Sequence, residues 1–213
     1  AATLINCKFF HNGSSGSGNG GAVVSLNKSS AKFVQCLFSG NTAARGGGLF
    51  CEGASPSLLI NCTFSRNYAT HNGGGLSSSV NSTPTLINCI LWGNAAGSNT
   101  GETGQLQGGG PILDHCCVQG WTGALGGTGN IGSDPAFADA DGPDNLPGTV
   151  DDDLKLAAQS PCIDAGNGDV RRRRKRAERI PVLVWDLAGL RRRADDPATP
   201  DTGQGTSPIV DMG

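Results

Sequence analysis

The segment Leu4-Ile5-Asn6-Cys7-Lys8-Phe9 decides the fold, because similar segments recur along the first part of the chain. The copies occupy residues 33–38, 59–64 and 86–91, and a degenerate copy occupies residues 113–118. From cysteine to cysteine, the steps are 29, 26, 27 and 27 residues. Three positions after the last apolar residue of each of the first four copies stands an asparagine: Asn12, Asn41, Asn67 and Asn94. A repeat of this length indicates a solenoid in which each copy belongs to one coil.

Apolar residues within a copy alternate as Ile-x-Cys-x-Phe, the two-residue period of a strand with one buried face. Glycine-rich segments at residues 20–24, 46–50 and 73–77 lie between the copies and allow tight corners. The sequence therefore predicts an all-β fold, a right-handed parallel β-helix of about five coils of 26–29 residues with an irregular C-terminal cap. We expect the Ile, Cys and Phe positions to face inward. The four asparagines are expected at turns, where left-handed geometry is tolerated.

Composition excludes several other classes of protein. Glycine accounts for 34 of the 213 residues, which disfavours long helices because Gly costs roughly 1 kcal/mol relative to Ala in a helix interior. The glycines follow no three-residue period, so the chain is not a collagen. Apolar runs extend over a few residues only, far short of the roughly 20 that a membrane-spanning helix needs, and no membrane span is predicted.

The net charge of −2 conceals a strong segregation of charge. Residues 1–133 carry five basic and three acidic side chains, and residues 134–153 carry seven Asp and no base. Residues 171–193 carry ten Arg or Lys against two acids, and an acidic tail follows. We therefore expect two regions: β-helix repeats over residues 1–133, and an acidic loop, a basic stretch and a cap or anchor-like segment over residues 134–213.

The glycine segments pair with Phe-x-x-Asn segments, as Gly20-Gly21-Ala22-Val23 does with Phe38-Ser39-Gly40-Asn41. This pairing resembles the repeats of polymorphic outer-membrane proteins and, more broadly, the pectate-lyase-like group of parallel β-helix proteins. The resemblance covers about residues 1–120. It implies a bacterial protein that is secreted or held at the cell surface. It implies no single activity, because that superfamily holds lyases, hydrolases, adhesins and inert stalks.

The segment Ser160-Pro161-Cys162-Ile163-Asp164-Ala165-Gly166, with Asp186-Leu187-Ala188-Gly189 and Ile209-Val210-Asp211-Met212-Gly213, resembles the choice-of-anchor Q module of bacterial surface β-helix proteins. Ala188 stands where that family has Asp, which argues against a metal role for the Asp186 turn. The chain begins inside a coil and stops before the final residues of the family pattern. We therefore expect it to be a piece of a longer secreted product.

Eight cysteines would suit four disulfides in a secreted protein, but five of them share one inward position of the repeat. Vertical neighbours in parallel strands are poorly oriented for the disulfide dihedral near 90°, so we expect free thiols that fill the core. Cys51, Cys117 and Cys162 lie off this ladder, and a bridge from Cys51 or Cys117 to a neighbouring coil stays open. The cysteines have neither CxxC spacing nor a paired histidine, which disfavours metal binding by them.

The acidic loop suggests a calcium site, because Asp-x-Asp-Gly places two carboxylates on the same side of a sharp turn and Ca²⁺ takes six to eight oxygen ligands. The predicted ligands are Asp139, Asp141, Asp144, Asn145, Asp151 and Asp153. The spacing is not that of an EF-hand and lacks its terminal Glu. A solvated acidic loop is the alternative.

The basic stretch between Arg171 and Arg193 has no counterpart in these resemblances. Such a run is typical of a solvated loop. Capture of an anionic polymer and salt bridges to the acidic loop are the alternatives. Nucleic acid is the less favoured partner, since no recognised binding fold accompanies the run.

The repeat region is poor in acids and bases, which favours binding or a structural role over catalysis. We expect an extracellular or cell-surface module that binds a polysaccharide or another surface polymer, or that acts as a stalk or adhesin. A polysaccharide lyase or glycoside hydrolase acting in the β-helix groove is the alternative. The predicted glycan-binding residues are Arg45, Arg66, Trp92 and Trp121. The catalytic candidates are Lys8, Glu52, Arg66, Asp114 and His115.

Asp114 occupies the Ile position of the last copy, which we expect to face inward. We interpret it as an irregularity where the final coil meets the cap, since a buried carboxyl must be paired or neutral. Head-to-tail self-association through the exposed strand edges of the N-terminal coil is a further hypothesis.

Overall fold

The structure, a computed structural model, describes residues 2–171, 199–205 and 211–213. Residues 172–193 lie outside the described residues. The predictions for the basic stretch, namely a solvated loop, capture of an anionic polymer or salt bridges to the acidic loop, therefore lie outside them too, as does the prediction for the Asp186 turn. Within the described part, no helix has the length and apolar character needed to cross a membrane.

Short strands follow one another around each coil. The first coil contains β1 (Thr3–Ile5), β2 (Lys8–Phe10) and β3 (Val23–Ser25), and the second contains β4 (Lys32–Val34), β5 (Leu37–Ser39), β6 (Thr42–Arg45) and β7 (Leu49–Cys51). The third contains β8 (Leu58–Ile60), β9 (Thr63–Ser65), β10 (Tyr68–Asn72) and β11 (Leu76–Ser78). The fourth contains β12 (Thr85–Ile87), β13 (Ile90–Trp92), β14 (Ala95–Ala96), the one-turn helix α1 (Glu102–Gln105) and β15 (Leu106–Gly108). The last contains β16 (Ile112–Asp114) and β17 (Cys117–Val118), and β18 (Phe137–Asp139), β19 (Asp153–Leu156) and a 3₁₀-helix (Gly168–Arg171) follow.

Equivalent strands of successive coils form four sheets, and the strand pairs between coils are parallel. The first sheet has the order β1-β4-β8-β12-β16 and the second β2-β5-β9-β13-β17. The third runs β3-β7-β11-β15 and the fourth β6-β10-β14. The molecule is a parallel β-solenoid of about four turns, which confirms the predicted fold class.

Three columns of side chains fill the interior of the stack. They are Leu4, Phe33, Leu59, Leu86 and Leu113; Cys7, Cys36, Cys62, Cys89 and Cys116; and Phe9, Phe38, Phe64, Leu91 and Val118. From the second coil on, each of these side chains is at most 1% exposed. The inward positions predicted for Cys and Phe are therefore confirmed.

The inward position predicted for the Ile column is wrong. Ile5, Val34, Ile60, Ile87 and Asp114 are register partners in the first sheet, and none belongs to the central core cluster. The next residue of each copy has a left-handed backbone, with φ between 51° and 54° from Asn6 to His115. This corner interrupts the two-residue alternation, so that the leucine before the Ile position faces inward in its place.

The asparagines following the Phe column form a continuous ladder, which we call the asparagine ladder: Asn12, Asn41, Asn67 and Asn94. The Nδ2 of each donates to the Oδ1 of the next at 2.8–2.9 Å, and Asn94 donates to Oε1 of Gln105 at 2.8 Å. The ladder lies at a corner, as predicted. The left-handed residue there is the one before each asparagine, such as Gly40 with φ 65°.

The glycine segments permit close stacking of backbones. A Cβ on Gly47 would lie 2.4 Å from the carbonyl oxygen of Tyr68 and 2.6 Å from that of Gly74. No heavier residue fits at those distances, so neighbouring coils meet backbone to backbone at this corner.

The C-terminal part packs on the end and the side of the stack. Thr128 and Ile131 bridge to Asp114 and Cys117, and Trp121 packs against the core of the last coil. Strands β18 and β19 form an antiparallel hairpin. A second buried cluster joins the outer face of the last coils to the cap: Ile90, Cys117, Cys162, Ala165 and Met212.

Candidate functional site

The candidate site is a groove of about 510 Å³ between the outer face of the coils and the C-terminal part of the chain, which we call the coil–cap groove. Its lining consists of Lys8, Gln35, Leu37, Asn61, Thr63, Ile90, Asp151, Asp152, Asp153, Leu154, Lys155, Leu156, Ile163, Asp211, Met212 and Gly213.

The coil wall of this groove follows from strand register. One outward column of the second sheet supplies Lys8, Leu37, Thr63 and Ile90. These side chains point away from the core because the Cys and Phe columns on either side of them point inward. Gln35 and Asn61 come from the left-handed corner between the first and second sheets. Each coil thus adds one or two side chains to the wall.

The cap wall consists of β19 with the residues before it and the last residues of the chain. Backbone hydrogen bonds hold the chain end in place. Gly213 N donates to the carbonyl oxygen of Asn88 at 2.7 Å, and Met212 N donates to that of Cys162 at 3.0 Å. The groove is therefore bounded on one side by the repeat and on the other by the non-repetitive cap.

Two adjacent carboxyls of the cap wall have pKa values that are shifted in opposite directions from the ordinary value. The Thr149 hydroxyl donates to Asp151 and lowers the pKa of that carboxyl. Partial burial raises the pKa of Asp152, although Gly148 N donates to its Oδ2 at 2.7 Å. Asp152 is therefore the carboxyl that retains its proton to the higher pH.

Charge in the described lining is predominantly negative. Four carboxylates, at residues 151, 152, 153 and 211, face two ammonium groups, Lys8 and Lys155. Lys155 Nζ lies 3.3 Å from Asp153 Oδ2, and both side chains are about half exposed. Carboxylates and amides that line a groove with aliphatic residues can bind the hydroxyl groups of an uncharged polymer.

The predicted calcium ligands lie on β18, on β19 and in the loop between them. The described residues contain no group of three or more His, Cys, Asp or Glu side chains that could hold a metal ion. Asp139 and Asp153 are cross-strand partners in the β18–β19 hairpin. In the loop between these strands, Leu146 N donates to Asp144 Oδ1 at 2.8 Å and Asp144 N to Asp151 Oδ2 at 3.3 Å. Calcium binding stays a prediction from the sequence, as do Asp141 and Asn145 as ligands, both of them exposed in the same loop.

The catalytic candidates Lys8, Glu52 and Arg66 lie apart on different elements. Lys8 lines the groove, Glu52 is exposed after β7 in the third sheet, and Arg66 is exposed at the corner after β9. Their catalytic role stays a prediction from the sequence.

Asp114 and His115, the other two catalytic candidates, form a pair at the junction with the cap. His115 Nδ1 lies 2.6 Å from Asp114 Oδ1, and Asn167 Nδ2 donates to Asp114 Oδ2 at 2.9 Å. Asp114 faces outward toward the cap, so its predicted inward position is wrong. Its carboxylate connects the last coil to the C-terminal segment. This geometry agrees with an irregularity where the final coil meets the cap.

The predicted glycan-binding residues Arg45, Arg66, Trp92 and Trp121 line no part of the groove. Trp92 packs on the outer cluster, and Trp121 packs on the core at the end of the stack. Both arginines are exposed, Arg45 on β6 and Arg66 beside Gly93.

Asp152, Lys155 and Asp211 were not predicted as groove residues. The outward column of the coil wall is predictable from the aligned copies, since it follows the cysteine by one residue. The cap residues carry no such signal, because the C-terminal part does not repeat.

All eight cysteines are free thiols, as expected for those of the ladder. The thiols of the inward column donate to the carbonyl oxygen two residues earlier at 3.4–3.6 Å. Cys51 donates to Ser57 Oγ at 3.5 Å, and burial raises the pKa of its thiol. The ladder cysteines therefore serve as small core residues with weak local hydrogen bonds.

Residues 1–122 match the family model described as a right-handed beta helix region. The chain belongs to this family. No match was found among curated proteins or among solved structures. The matched part coincides with the coils, and the cap wall of the groove lies beyond it.

Proposed function

We propose that this β-helix protein is a secreted or cell-surface module that binds an extended polysaccharide in the coil–cap groove. The observation that supports this proposal is the groove, which runs along one outward column of the coils and is bounded on its other side by the cap. Solenoids present such extended surfaces because each repeat adds the same side-chain position. The resemblance of the repeats to polymorphic outer-membrane proteins, and of the C-terminal segment to the choice-of-anchor Q module, supports the proposed location.

The composition of the groove supports a neutral sugar chain as the ligand. Leu37 and Ile90 offer apolar surface to the faces of sugar rings, and Asn61 and Thr63 offer hydrogen-bonding groups beside them. The excess of carboxylates in the described lining repels a uronate polymer. We therefore expect neutral glycans to bind more tightly than acidic ones.

Titration calorimetry against a panel of soluble neutral and uronate polysaccharides tests this function. Removing the groove carboxyls with the double substitution Asp152→Asn and Asp153→Asn should weaken binding of the neutral glycan by about tenfold, since hydrogen bonds to charged acceptors are the stronger ones. Glu52→Gln is the matched control, because it makes the same acid-to-amide change on another sheet. Equal loss in both variants, or no binding by any polymer, would contradict the proposal.

One observation favours hydrolysis as a second function of the same groove. Burial raises the pKa of Asp152, and a general acid needs a raised pKa when it acts beside an ionised carboxylate. Release of reducing ends from a neutral glycan, abolished by Asp152→Asn, would establish an enzyme. Absorbance of unsaturated product from uronate polymers, with and without Ca²⁺, tests the lyase alternative.

Self-association remains a proposed partner interaction. Among the described residues, β1 and β2 are the N-terminal edge strands of their sheets, and an edge strand can pair with a strand of another chain. Residues 121–131 cover the opposite end of the coils, so a second copy would have to displace them to stack head to tail. We expect sedimentation velocity to show oligomers that increase with concentration, and a strict monomer at high concentration would exclude this interaction.

A further inference from the structure

Cys117 is a cysteine at an outward position of the repeat. It continues the column Lys8, Leu37, Thr63 and Ile90, whereas its neighbour Cys116 occupies the inward ladder. The thiol of Cys117 therefore does not fill the central core. It faces the C-terminal part of the chain that covers the last coil.

Cys162 reaches the same place from the cap. Both cysteines are 0% exposed and belong to the second buried cluster, together with Ile90, Ala165 and Met212. Two backbone hydrogen bonds fix Cys162 there: its N–H donates to Ser160 Oγ at 3.2 Å, and its carbonyl accepts from Met212 N at 3.0 Å. The two sulfurs are thus brought together by a strand of the coil and a turn of the cap.

The thiols of Cys117 and Cys162 lie in one small buried cluster. A hydrogen bond with the Cys162 thiol, followed by burial, raises the pKa of Cys117. The Cys117 thiol also reaches the carbonyl oxygen of Ser133 at 3.2 Å. A buried thiol of raised pKa is a poor nucleophile and a poor metal ligand.

We propose that Cys117 and Cys162 form a disulfide bond that joins the last coil to the cap. A small-molecule or enzyme disulfide supplies the oxidising equivalents: the two protein S–H bonds and the S–S bond of the oxidant break, one protein S–S bond forms, and the oxidant leaves as two thiols carrying both hydrogens. The exchange takes place while the cap is still open, because both sulfurs are inaccessible once it has closed.

The bond closes a loop of 44 intervening residues that contains the β18–β19 hairpin. It stabilises the protein mainly by restricting the unfolded chain, and it fixes the cap wall against the coil wall. Of the other cysteines, Cys51 bonds to Ser57. The ladder cysteines stack above one another in parallel strands, where vertical neighbours are poorly oriented for the disulfide dihedral. This inference is independent of whether the groove binds a glycan.

Thiol counting on the full chain tests the proposal. The protein is refolded with a mixture of oxidised and reduced glutathione, denatured in guanidinium chloride and alkylated, and its mass is measured. We expect six alkylated cysteines and, after proteolysis, a linked peptide pair that contains Cys117 and Cys162. Eight alkylated cysteines, or a linkage between any other pair, would overturn it.

Thermal unfolding of variants gives a second, independent readout. Dithiothreitol should lower the Tm of the oxidised protein by roughly 10 °C, given the usual stabilisation by a loop of this size. Cys117→Ser, Cys162→Ser and the double variant should share one lowered Tm that dithiothreitol does not change further. Cys51→Ser is the matched control and should keep the full response to dithiothreitol. A full response in Cys162→Ser would refute the bond.

Discussion

At the residue scale, the asparagine ladder shows how the solenoid satisfies polar groups inside its wall. Asn41, Asn67 and Asn94 are at most 1% exposed. Each uses its Oδ1 to accept from the backbone N–H and the side chain of the asparagine in the coil before it. The Nδ2 of Asn41 and of Asn67 donates to the asparagine of the coil after it and to a carbonyl oxygen of the coil before it. Gln105 replaces the asparagine at the end of the ladder and accepts the last two bonds. The spacing of the repeat therefore aligns both the apolar core side chains and the hydrogen-bonded asparagines of successive coils.

Asn67→Ala should therefore be strongly destabilising. It leaves the backbone N–H of Asn41 unpaired in a buried site and removes a donor to the carbonyl of Phe38. We expect a loss of about 3 kcal/mol in the free energy of unfolding, measured by urea denaturation. Asn12→Ala is the control, since Asn12 is exposed at the end of the ladder and should lose about 1 kcal/mol. Similar losses for both would disprove the buried ladder as a stabilising element.

The raised pKa of Asp152 predicts a pH dependence of stability. Because burial favours the protonated form, the folded protein holds this proton more tightly than the unfolded chain, whose ordinary pKa is 3.8. The contribution of Asp152 is thus complete below pH 3.8 and is lost as the pH rises through the folded pKa. Asp151 acts in the opposite sense: its lowered pKa adds stability above pH 3.8 that is lost as the pH falls.

We expect Asp152→Asn to remove the part of this dependence that lies above pH 3.8 and to leave the part due to Asp151. Urea midpoints measured between about pH 3 and 6 check this expectation. Glu52→Gln should follow the wild-type curve. A wild-type curve for Asp152→Asn would show that its burial has no energetic effect.

At the element scale, the prediction from the two-residue alternation fails at the corner between the first and second sheets. The alternation Ile-x-Cys-x-Phe assumes a continuous strand, and this assumption correctly places Cys36 and Phe38. It fails at Val34, because the left-handed Gln35 divides the copy into two strands. Asparagine at this position in three of the five copies was the available signal for such a corner.

The glycine corner of the third sheet should tolerate no Cβ. Gly47→Ala places a methyl group against two carbonyl oxygens of the next coil, within 2.4–2.6 Å. We expect a loss of about 3 kcal/mol in the free energy of unfolding, or failure to fold, as measured by circular dichroism during denaturation. At Gly101 a Cβ would meet only Asn99 Oδ1 at 3.5 Å, so Gly101→Ala should be nearly neutral. A stable Gly47→Ala protein would be incompatible with the close stacking of these coils.

The acidic loop between β18 and β19 is the predicted site of calcium binding. If the sequence pattern is right, CaCl₂ should raise the Tm of the wild-type protein, since a ligand of the folded state stabilises it. The double variant Asp139→Asn and Asp141→Asn should lose this response, and Glu52→Gln should keep it. A Tm that is the same in CaCl₂ and in chelator would rule out the calcium site.

At the scale of the whole molecule, the coils could be predicted from the sequence and the groove could not. The repeat specifies the stack because each copy presents the same residue at the same position, as Phe38 and Phe64 show by stacking with ring centroids 4.4 Å apart. The cap wall depends on long-range contacts with the coils, such as those around Met212 and Cys162. Such contacts leave no period in the sequence, so Asp211 and Asp152 could not be assigned to a common site.

The asparagine ladder also makes the solenoid an electrically polar rod. From Asn12 to Asn67, each amide donates to the asparagine of the next coil and directs its oxygen toward the N-terminal end of the stack. The bond dipoles add along the axis, and each bond polarises the next. The partial negative charge of this chain of amides lies at the first coil. At the other end, Gln105 Nε2 donates to the carbonyls of Asn94 and Thr100 and to Oε1 of Gln119, which extends the row of amides into the last coil.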